Sequence, residues 1–442
     1  MRKINIGICG LGTVAGGVVN VWQRNHKILA GRLGQAAEIS HIGARRDHPE
    51  CDTDAYRVSR DIFEVARDPN VHILLELIGG IEPARSLVLE AIDNGKHVVT
   101  ANKALIAEHG EALLAAAQAR GVELRFEAAV AGGIPVIKAL TEGFSGNAIE
   151  SIVGIINGTG NFILTEMREK NRSFAEALAD AQRLGYAEAD PTFDVEGIDA
   201  AQKLTILAAL AYGTSLDASH CYTEGISNVS AEDIQHAGEM GYSIKHLGIA
   251  RASSRGLEMR VHPALIPDDR LIANVHGVLN AVAIHGDAVG PTLLCGAGAG
   301  AEPTASAVIA DVIDLTHSIN CTIEGDKKST QRGERPGHAA ATRRIMSIEE
   351  IDCAYYLRVA AADEPGALSK ITQVLSEANI SVESLHQKDP LKGAHAHSGE
   401  TVPVVLTTEV TRESNLRSAV EKIESLAVVR DAVVVLRIES VS

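Results

Sequence analysis

The chain has 442 residues, more than one hydrophobic core accommodates, so roughly two to four domains are expected. Its formal net charge of -16 repels phosphate backbones and anionic membranes, which argues against nucleic-acid and membrane partners. The start lacks the apolar core of a signal peptide, no apolar run reaches the roughly 18 residues of a membrane span, and the six cysteines show no CxxC spacing. A cytoplasmic protein with reduced thiols is therefore expected.

The first 132 residues alternate short β-branched runs with Ala/Leu-rich segments, the pattern of a parallel sheet covered by helices. We expect a Rossmann-type, doubly wound α/β domain over residues 1–132. A helix over Ala104–Arg120 should end at Gly121, where a left-handed C-cap is easiest for glycine. The candidate strands are Ile4–Cys9, Glu38–Gly43, Val71–Ile78, His97–Thr100 and Glu123–Phe126.

A glycine-rich turn follows the first strand and precedes a helix. In this GxGxxA pattern Gly10 permits the tight turn, Gly12 lets a pyrophosphate approach the backbone, and Ala15 keeps helix and sheet close. Thr13 and Val14 would present unpaired N–H groups to the phosphates at the start of the helix. The alternative is an ordinary tight turn, although the position directly after a terminal strand favours a dinucleotide site.

The second strand ends in two arginines rather than in the acid that holds the ribose hydroxyls of NAD. Arg45 and Arg46 suit a 2′-phosphate, so NADP is the favoured cofactor and NAD the alternative. In the competing interpretation this is a solvated loop in which Asp47 neutralises part of the charge.

The pattern changes to helices mixed with short apolar strands over residues 133–318, which predicts a second, α+β domain. Its clearest helices are Ser173–Leu184 and Gly197–Tyr212. A further apolar helix, Ala305–Leu315, should return toward the nucleotide domain. Residues 319–350 are polar with little apolar periodicity, and we interpret them as a linker.

Residues 351–442 again alternate compactly in the order βαββαβ, which predicts a ferredoxin-like unit that folds independently. The predicted elements are strand Tyr355–Ala361, helix Ala367–Ala378, strand Ile380–His386, strand Val402–Val410, helix Arg412–Leu426 and strand Val428–Leu436.

Asp199 and Lys203 are four residues apart on the predicted Gly197–Tyr212 helix, so they share one face. An exposed pair of this kind is a common salt bridge of little consequence. This helix reads as largely buried, where such a pair is rarer. Its apolar residues include Ile198, Leu204, Ile206, Leu207 and Leu210. The residues alone leave a structural ion pair and a catalytic pair equally open.

Over residues 1 to about 315 the chain resembles the homoserine dehydrogenase family at a series of ordered segments. These are Glu76–Gly80, Val99–Leu105, Glu127–Pro135, Gly154–Thr159 and Gly185–Thr192, followed by Asp194, Gly197, Asp199 and Lys203. The chain departs from the family at Gly160, where threonine is common, and at Ala15, where the third glycine of the turn is usual. Neither departure removes a reacting group.

The resemblance implies NAD(P)H-dependent, reversible reduction of aspartate semialdehyde to homoserine. It implies that Lys203 is the proton donor and that Asp199 is the acid that orients it. Glu188 matches the carboxylate that holds the substrate's amino group, with a solvated loop glutamate as the alternative. Lys103 matches a residue beside the nicotinamide and the substrate, and Thr100 a further cofactor contact.

The resemblance also implies a monovalent-cation loop, with sodium as the candidate ion. The carried-over ligands are Glu127, Val130, Gly132 and Ile134, because a carboxylate and main-chain carbonyls are oxygen ligands that hard cations accept. The alternative is a glycine-rich turn that needs no ion.

The C-terminal unit resembles an ACT domain, a regulatory amino-acid-binding module, through Asp363–Leu368 and the Ile380–Val382 strand. The resemblance implies an amino-acid effector, with threonine as the candidate. The alternative is a dimerising unit without a ligand. The family is typically dimeric or tetrameric, which makes residues 133–318 a catalytic and dimerisation domain and Val275–Ile284 a candidate subunit interface.

The sequence leaves two rival functions open. An aspartate-semialdehyde dehydrogenase would need a nucleophilic cysteine near a histidine, and Cys295 in its glycine-rich stretch is the candidate. A nucleotide- and amino-acid-binding regulatory protein without catalysis would keep both binding domains. Intact Glu188, Asp199 and Lys203 count against it.

Overall fold

The computed structural model describes residues 3–34, 36–49, 51–323, 343–387 and 401–441. The N-terminal part is a six-stranded sheet in the order β3-β2-β1-β4-β5-β6 with every neighbouring pair parallel. Its strands are β1 (Ile4–Cys9), β2 (Ala37–Gly43), β3 (Arg57–Ser59), β4 (Ile73–Glu76), β5 (His97–Thr100) and β6 (Leu124–Arg125). Its helices are α1 (Thr13–Arg24), α2 (His26–Leu33), α3 (Ile62–Arg67), α4 (Ala84–Asp93) and α5 (Lys103–Arg120).

This arrangement confirms the predicted doubly wound sheet. The strand order reverses between β1 and β4, and ligands bind at such a switch point, outside the carboxyl ends of the strands. Helix α5 begins one residue before the predicted start, because the side chain of Asn102 caps it by accepting from the Leu105 N–H. It ends at Gly121 in the left-handed region, as expected.

The middle of the chain adds a mixed layer of helices and antiparallel strands. The helices are α6 (Val136–Lys138), α7 (Gly158–Lys170), α8 (Phe174–Arg183), α9 (Thr192–Val195), α10 (Ile198–Tyr212), α11 (Ala231–Glu239) and α12 (Ala301–Ile323). The strands are β7 (Ile149–Ile155), β8 (Tyr222–Thr223), β9 (Tyr242–Ser253), β10 (Gly256–Pro267), β11 (Leu279–Gly286) and β12 (Gly290–Ala297).

Helix α10 carries the predicted Asp/Lys pair and is largely buried, as its composition indicated. Leu204, Ile206 and Leu207 are fully covered within the largest hydrophobic cluster. The expectation that Ile198 is buried is wrong: this residue is 41% exposed, because it is the first residue of the helix.

Helix α12 returns to the nucleotide domain, as predicted, and packs along α1. A Cβ added to Gly17 of α1 would lie 2.3 Å from the carbonyl oxygen of Ala301, so this glycine permits the close approach. The helix extends from Ala301 to Ile323 rather than over Ala305–Leu315. It therefore continues into the predicted linker, of which residues 324–342 lie outside the described residues.

The C-terminal unit has the predicted βαββαβ order. Its elements are β13 (Asp352–Ala362), α13 (Ala367–Glu377), β14 (Val382–Gln387), β15 (Thr401–Thr408), a short β16 (Thr411–Arg412), α14 (Glu413–Glu424) and β17 (Val434–Ile438).

This unit does not keep a separate sheet. Strand β17 pairs in parallel with β10, with Ala264 opposite Arg437 and Leu265 opposite Ile438. One eleven-stranded assembly results, whose central path runs β12-β11-β7-β9-β10-β17-β13-β15-β14. The C-terminal unit is thus joined to the catalytic layer through its last strand.

Candidate active site

The glycine-rich turn depends on its first glycine and leaves space beside its second. Gly10 has a φ of 95°, and a Cβ there would lie 2.7 Å from the Leu77 carbonyl oxygen. Gly12 begins α1 without a capping side chain, and a Cβ there would find no heavy atom within 4 Å. Thr13 and Val14 lie in the first turn of α1, where the N–H groups have no acceptor within the helix and an anion binds well. Ala15 is fully buried against the sheet, as predicted.

The carboxyl end of β2 presents more positive charge than the sequence suggested. Arg45 and Arg46 are exposed, and neither is paired with an acid within the described residues. Asp47, which the solvated-loop interpretation used to neutralise them, is instead held by Arg60 at 2.9 Å and 3.1 Å. Arg60 comes from beyond β3 and also donates to the Ala44 carbonyl at 3.2 Å. No local sequence signal identified it.

Two lysines from different domains meet at one buried carboxylate. Asp199 Oδ2 lies 2.7 Å from the Lys203 Nζ, and its Oδ1 lies 2.9 Å from the Lys103 Nζ. The Asp199 side chain is 3% exposed and that of Lys103 34%. The one-turn spacing on α10 accounts for the first contact. The second follows because Lys103 stands at the carboxyl end of β5, the ligand-binding edge of the sheet.

The ammonium of Lys203 retains donor capacity. It donates to Asp199 and, at 2.9 Å, to the Ile156 carbonyl at the end of β7. An ammonium has three N–H donors, so one remains without an acceptor among the described residues. The group is therefore fixed in place yet able to donate to a bound molecule.

Asn157 organises the acidic side of the site and was not assigned a role from the sequence. Its Nδ2 donates to Asp199 and to Asp194, each at 2.8 Å, while its Oδ1 accepts from the Gly160 N–H and caps α7. An asparagine directly before a helix is an N-cap signal. The contact with Asp199 spans 42 residues of sequence and has no local signal.

The two carboxyl groups beside Asn157 differ in their pKa values. Burial alone would raise the pKa of Asp199, but the ammonium groups of Lys203 and Lys103 and the hydrogen bonds outweigh it and lower the pKa to about 2. Burial raises the pKa of Asp194, with the Asp199 charge adding to the effect. Asp199 is therefore a fixed anion between two cations.

Asp199, Lys203, Lys103, Asn157 and Asp194 form the Asp199 cluster, and Lys103 is its partly exposed member. Its ammonium lies 5.5 Å from the centre of the Phe193 ring, a cation–π contact.

Glu188 lies in the exposed loop between α8 and α9, where its carbonyl accepts from Gln182. The same loop is tied to the start of α7 because the Thr159 hydroxyl donates to the Tyr186 carbonyl at 2.7 Å. No contact joins Glu188 to the Asp199 cluster in the described residues.

The side chain of Thr100 is not available to a cofactor. Its hydroxyl is fully buried, donates to Glu76 at 2.5 Å and accepts from the Asn102 N–H at 3.0 Å. Glu76 also accepts from the N–H groups of Ile78 and Gly79. Thr100 thus fixes the turns at the switch point, and the predicted cofactor contact of this residue would have to come from its main chain.

The loop predicted to hold a cation follows β6. The Glu127 carboxylate accepts from the N–H groups of Ile137 and Lys138 at 2.9 Å and 2.8 Å. Its own N–H donates to Asp311 of α12, whose other oxygen, Oδ1, is buried without a hydrogen bond in the described part of the chain. Burial raises the pKa of Glu127 to about 7. Burial also raises the pKa of Asp311, and the nearby Glu127 charge adds to this effect.

The carbonyl groups predicted to complete this cation site lie in a tight turn. Val130 and Ile134 are buried on either side of Gly132, which has a φ of 52°. A Cβ on Gly132 would lie 2.4 Å from the Gly298 carbonyl oxygen, so the loop is pressed against the turn before α12. An orphaned carboxylate oxygen beside this loop fits a bound cation, because a positive charge would satisfy it.

Cys295 does not occupy the position of a nucleophile. It pairs with Ala281 across the β11–β12 hairpin, and Ala281 packs in the cluster on one face of the sheet. The next residue, Val282, packs with Leu204 of α10 on the opposite face. Side chains alternate along a strand, so Cys295 faces away from α10 and the Asp199 cluster.

We therefore expect alkylation of exposed Cys295 with iodoacetamide to leave turnover nearly intact. Mass spectrometry would confirm the modification, and a Cys295→Ala variant treated in the same way controls for other thiols. Complete inactivation that the alanine variant resists would restore the thioester mechanism.

A parallel dinucleotide-type sheet whose binding edge meets a fixed Asp–Lys pair defines an NAD(P)-dependent oxidoreductase acting on a CH–OH group. The chain matches the families described as "Homoserine dehydrogenase, NAD binding domain" over residues 10–127, "Homoserine dehydrogenase" over residues 135–313 and "ACT domain" over residues 355–428. The chain belongs to the homoserine dehydrogenase family.

Similar proteins support this assignment along the whole chain. A homoserine dehydrogenase from Pseudomonas aeruginosa is 52% identical over 442 residues and covers all of both chains. The crystal structure of one from Thiobacillus denitrificans has a TM-score of 0.91 and 49% identity, covering 99% of each chain. A hyperthermophilic archaeal homoserine dehydrogenase in complex with NADPH has a TM-score of 0.60 and 26% identity, covering 72% of this chain and 98% of that chain.

Over the described residues no helix has the length and apolar character to cross a membrane. The same residues contain no group of three or more His, Cys, Asp or Glu side chains arranged to hold a metal ion. A cation at the Glu127 loop would therefore depend on main-chain carbonyls.

Proposed function

We propose that the Asp199 cluster reduces aspartate semialdehyde to homoserine with Lys203 as the proton donor. The observation that carries this proposal is the free donor of Lys203: two of its N–H groups donate to Asp199 and to the Ile156 carbonyl, and the third has no acceptor among the described residues. NADPH, when bound, supplies the hydride to the carbonyl carbon. As the alkoxide develops, Lys203 donates its proton, and the charge of Asp199 keeps the ammonium aligned.

The other side chains bind and orient the substrate in this proposal. Lys103 presents its exposed ammonium from the nucleotide domain and holds a substrate oxygen beside the cofactor. Glu188 holds the substrate's amino group, and the Thr159–Tyr186 hydrogen bond that ties its loop to α7 supports this role. The loss of NADPH absorbance on addition of aspartate semialdehyde, measured beside a Lys203→Ala variant, tests the assignment.

We further propose that NADP is the preferred cofactor. Arg45 and Arg46 at the end of β2 have no acidic partner among the described residues, which supports a 2′-phosphate contact, and Arg60 from beyond β3 holds Asp47 away from them. The turn formed by Gly10 and Gly12, with the N–H groups of Thr13 and Val14, would hold the pyrophosphate.

Replacing both Arg45 and Arg46 with alanine should raise the KM for NADPH by roughly tenfold or more and change that for NADH little. Only NADPH carries the 2′-phosphate that these side chains would bind. An Arg57→Ala variant, which removes a neighbouring exposed arginine that is already paired with Asp68, is the matched control. Equal losses with both cofactors would assign Arg45 and Arg46 to the fold.

We propose a monovalent cation, with sodium as the candidate, at the loop of Glu127, Val130, Gly132 and Ile134. The unpaired Oδ1 of Asp311 supports it. The ion would hold the loop between the nucleotide and catalytic domains and would supply positive charge to two buried carboxyl groups.

We also propose that the C-terminal unit binds an amino-acid effector, with threonine as the candidate, at the loop of residues 363–368. Helix α13 begins there at Gly366 without a capping side chain, so its N–H groups suit the effector's carboxylate. The family's assembly into dimers or tetramers is proposed for this chain as well. These two proposals concern control and assembly and leave the reaction unchanged.

A further inference from the structure

A buried arginine links the C-terminal unit to the catalytic layer. Arg437 of β17 donates to Glu413 of α14 at 2.9 Å and 2.6 Å. Its remaining nitrogen, Nη1, donates to Glu224 at 2.9 Å. The Arg437 side chain is 5% exposed, and its guanidinium also lies 5.2 Å from the centre of the Tyr222 ring. One guanidinium thus holds an acid from each side of the junction.

Glu224 carries this connection to a histidine behind the active site. The Glu224 carbonyl accepts a hydrogen bond from His246 Nε2 at 2.9 Å, which places the ring proton on Nε2. His246 lies on β9 and is buried, and burial lowers its pKa, so the ring is neutral. This hydrogen bond therefore fixes the position of the His246 ring relative to the main chain at Glu224.

His246 in turn packs against the residue where α10 begins. Gly197 precedes that helix with a φ of 82°, and a Cβ there would lie 3.0 Å from His246 Cε1 and 3.1 Å from a methyl group of Thr223. Asp199 stands in the first turn, two residues further on. Displacement of the ring would push directly on the start of the helix that carries the Asp–Lys pair.

We propose that Glu224 and His246 are positioning residues for Asp199, and that Arg437 of the C-terminal unit acts on the catalytic site through them. The proposal rests on the function proposed for Asp199 and Lys203. In this proposal the packing of the C-terminal unit against the catalytic layer affects the rate of hydride transfer, because a small displacement of the proton donor slows the reaction. An effector that shifts β17 would use the same route.

A second charged contact at the same junction supplies a matched control. Arg358 of β13 donates to Asp233 at 2.6 Å and 3.0 Å, and Asp233 belongs to α11. Arg358 is also largely buried, with 18% of its side chain exposed. No hydrogen bond or ion pair among the described residues joins Arg358 or Asp233 to α10. Loss of Arg358 should therefore weaken the junction without moving Asp199.

The test compares Arg437→Met with Arg358→Met in the full-length enzyme. For Arg437→Met we expect kcat to fall roughly three- to thirtyfold, with the KM for NADPH changed by less than about twofold. The kinetic isotope effect with deuterated cofactor should rise as hydride transfer becomes slower. For Arg358→Met we expect wild-type kcat despite a lower melting temperature. Equal rate losses in both variants, or no loss in Arg437→Met, would overturn the proposal.

A second pair of variants decides the question if Arg437→Met does not fold. His246→Gln keeps an N–H donor at nearly the same place, whereas His246→Met removes it. We expect His246→Gln to recover most of the kcat that His246→Met loses, and identical rates in the two would contradict the proposal. Lys203→Ala is assayed alongside, since near-normal turnover in that variant would instead contradict the proposed function.

Discussion

We expect Lys203→Ala to lower kcat by roughly a hundredfold or more while the affinity for NADPH changes little. The ammonium of Lys203 is the proposed proton donor and is held in place by Asp199 and by the Ile156 carbonyl, so its removal leaves the developing alkoxide without that proton. Lys203 makes no contact with the glycine-rich turn that would hold the pyrophosphate. The measurements are initial rates with aspartate semialdehyde and a fluorescence titration with NADPH.

Lys245 supplies a matched control for the loss of a buried lysine. It lies on β9, is 3% exposed and donates to the Val275 carbonyl at 2.6 Å, away from the Asp199 cluster. Burial lowers the pKa of Lys245 to about 8, so its charge is already disfavoured. We expect Lys245→Met to keep kcat within about threefold of wild type. Comparable losses in the two variants would mean that Lys203 acts through stability alone.

Much of the fold could be predicted because its signals are local. β-branched runs marked the strands of the nucleotide domain, and Gly121 marked the end of α5. The boundaries were less accurate where a strand is short: Val71–Ile78 was predicted and only Ile73–Glu76 forms β4, since β1 and β5 pair with those residues alone. The helical spacing correctly placed Asp199 and Lys203 on one face.

The rest of the site depends on contacts between distant segments. Arg60 reaches Asp47 and Asn157 reaches Asp194 only after the chain folds, and neither contact has a periodic pattern. Thr100 shows the same dependence on packing, since its hydroxyl is engaged by Glu76 and by the Asn102 N–H in the folded chain. Local sequence patterns indicate which residue types lie near the site. The packing of distant segments decides which of their hydrogen-bond donors remain available to a ligand.

The junction between β10 and β17 had no sequence signal either. Parallel pairing of strands that are far apart in the chain produces no turn, and the βαββαβ order suggested a self-sufficient unit. In the structure Arg437 and Glu439 are buried because each has an oppositely charged partner.

This junction changes what removal of the C-terminal unit should do. A chain that ends at residue 342 would lose Glu439, which pairs with Arg260, and leave that arginine Glu258 as its acidic partner and His262 as a further hydrogen-bond partner. Arg260 is 1% exposed in the full-length protein, and removing one partner of a buried pair costs about 3–5 kcal/mol to the extent that the remaining charge stays covered. Asp233, whose side chain is fully covered, would lose Arg358 in the same way.

We therefore expect the truncated chain to melt well below the full-length protein, by roughly 5–15 °C, and to aggregate, rather than to keep its basal activity. Removal of β17 also exposes β10 as a sheet edge, which favours pairing with other chains. Thermal unfolding, light scattering and initial rates of both chains measure these effects. A truncated chain that is monodisperse, equally stable and fully active would show that the C-terminal unit is only attached to an independent enzyme.

An Arg260→Leu substitution separates the charge effect from the loss of the strand. In the truncated chain it removes a poorly compensated buried cation, so we expect the melting temperature to rise. In the full-length protein the same change leaves Glu439, which also lies 3.3 Å from Arg251, without its closer partner. Here we expect the melting temperature to fall. A melting temperature that does not rise in the truncated chain would assign the instability to the exposed strand edge instead of to the unpaired arginine.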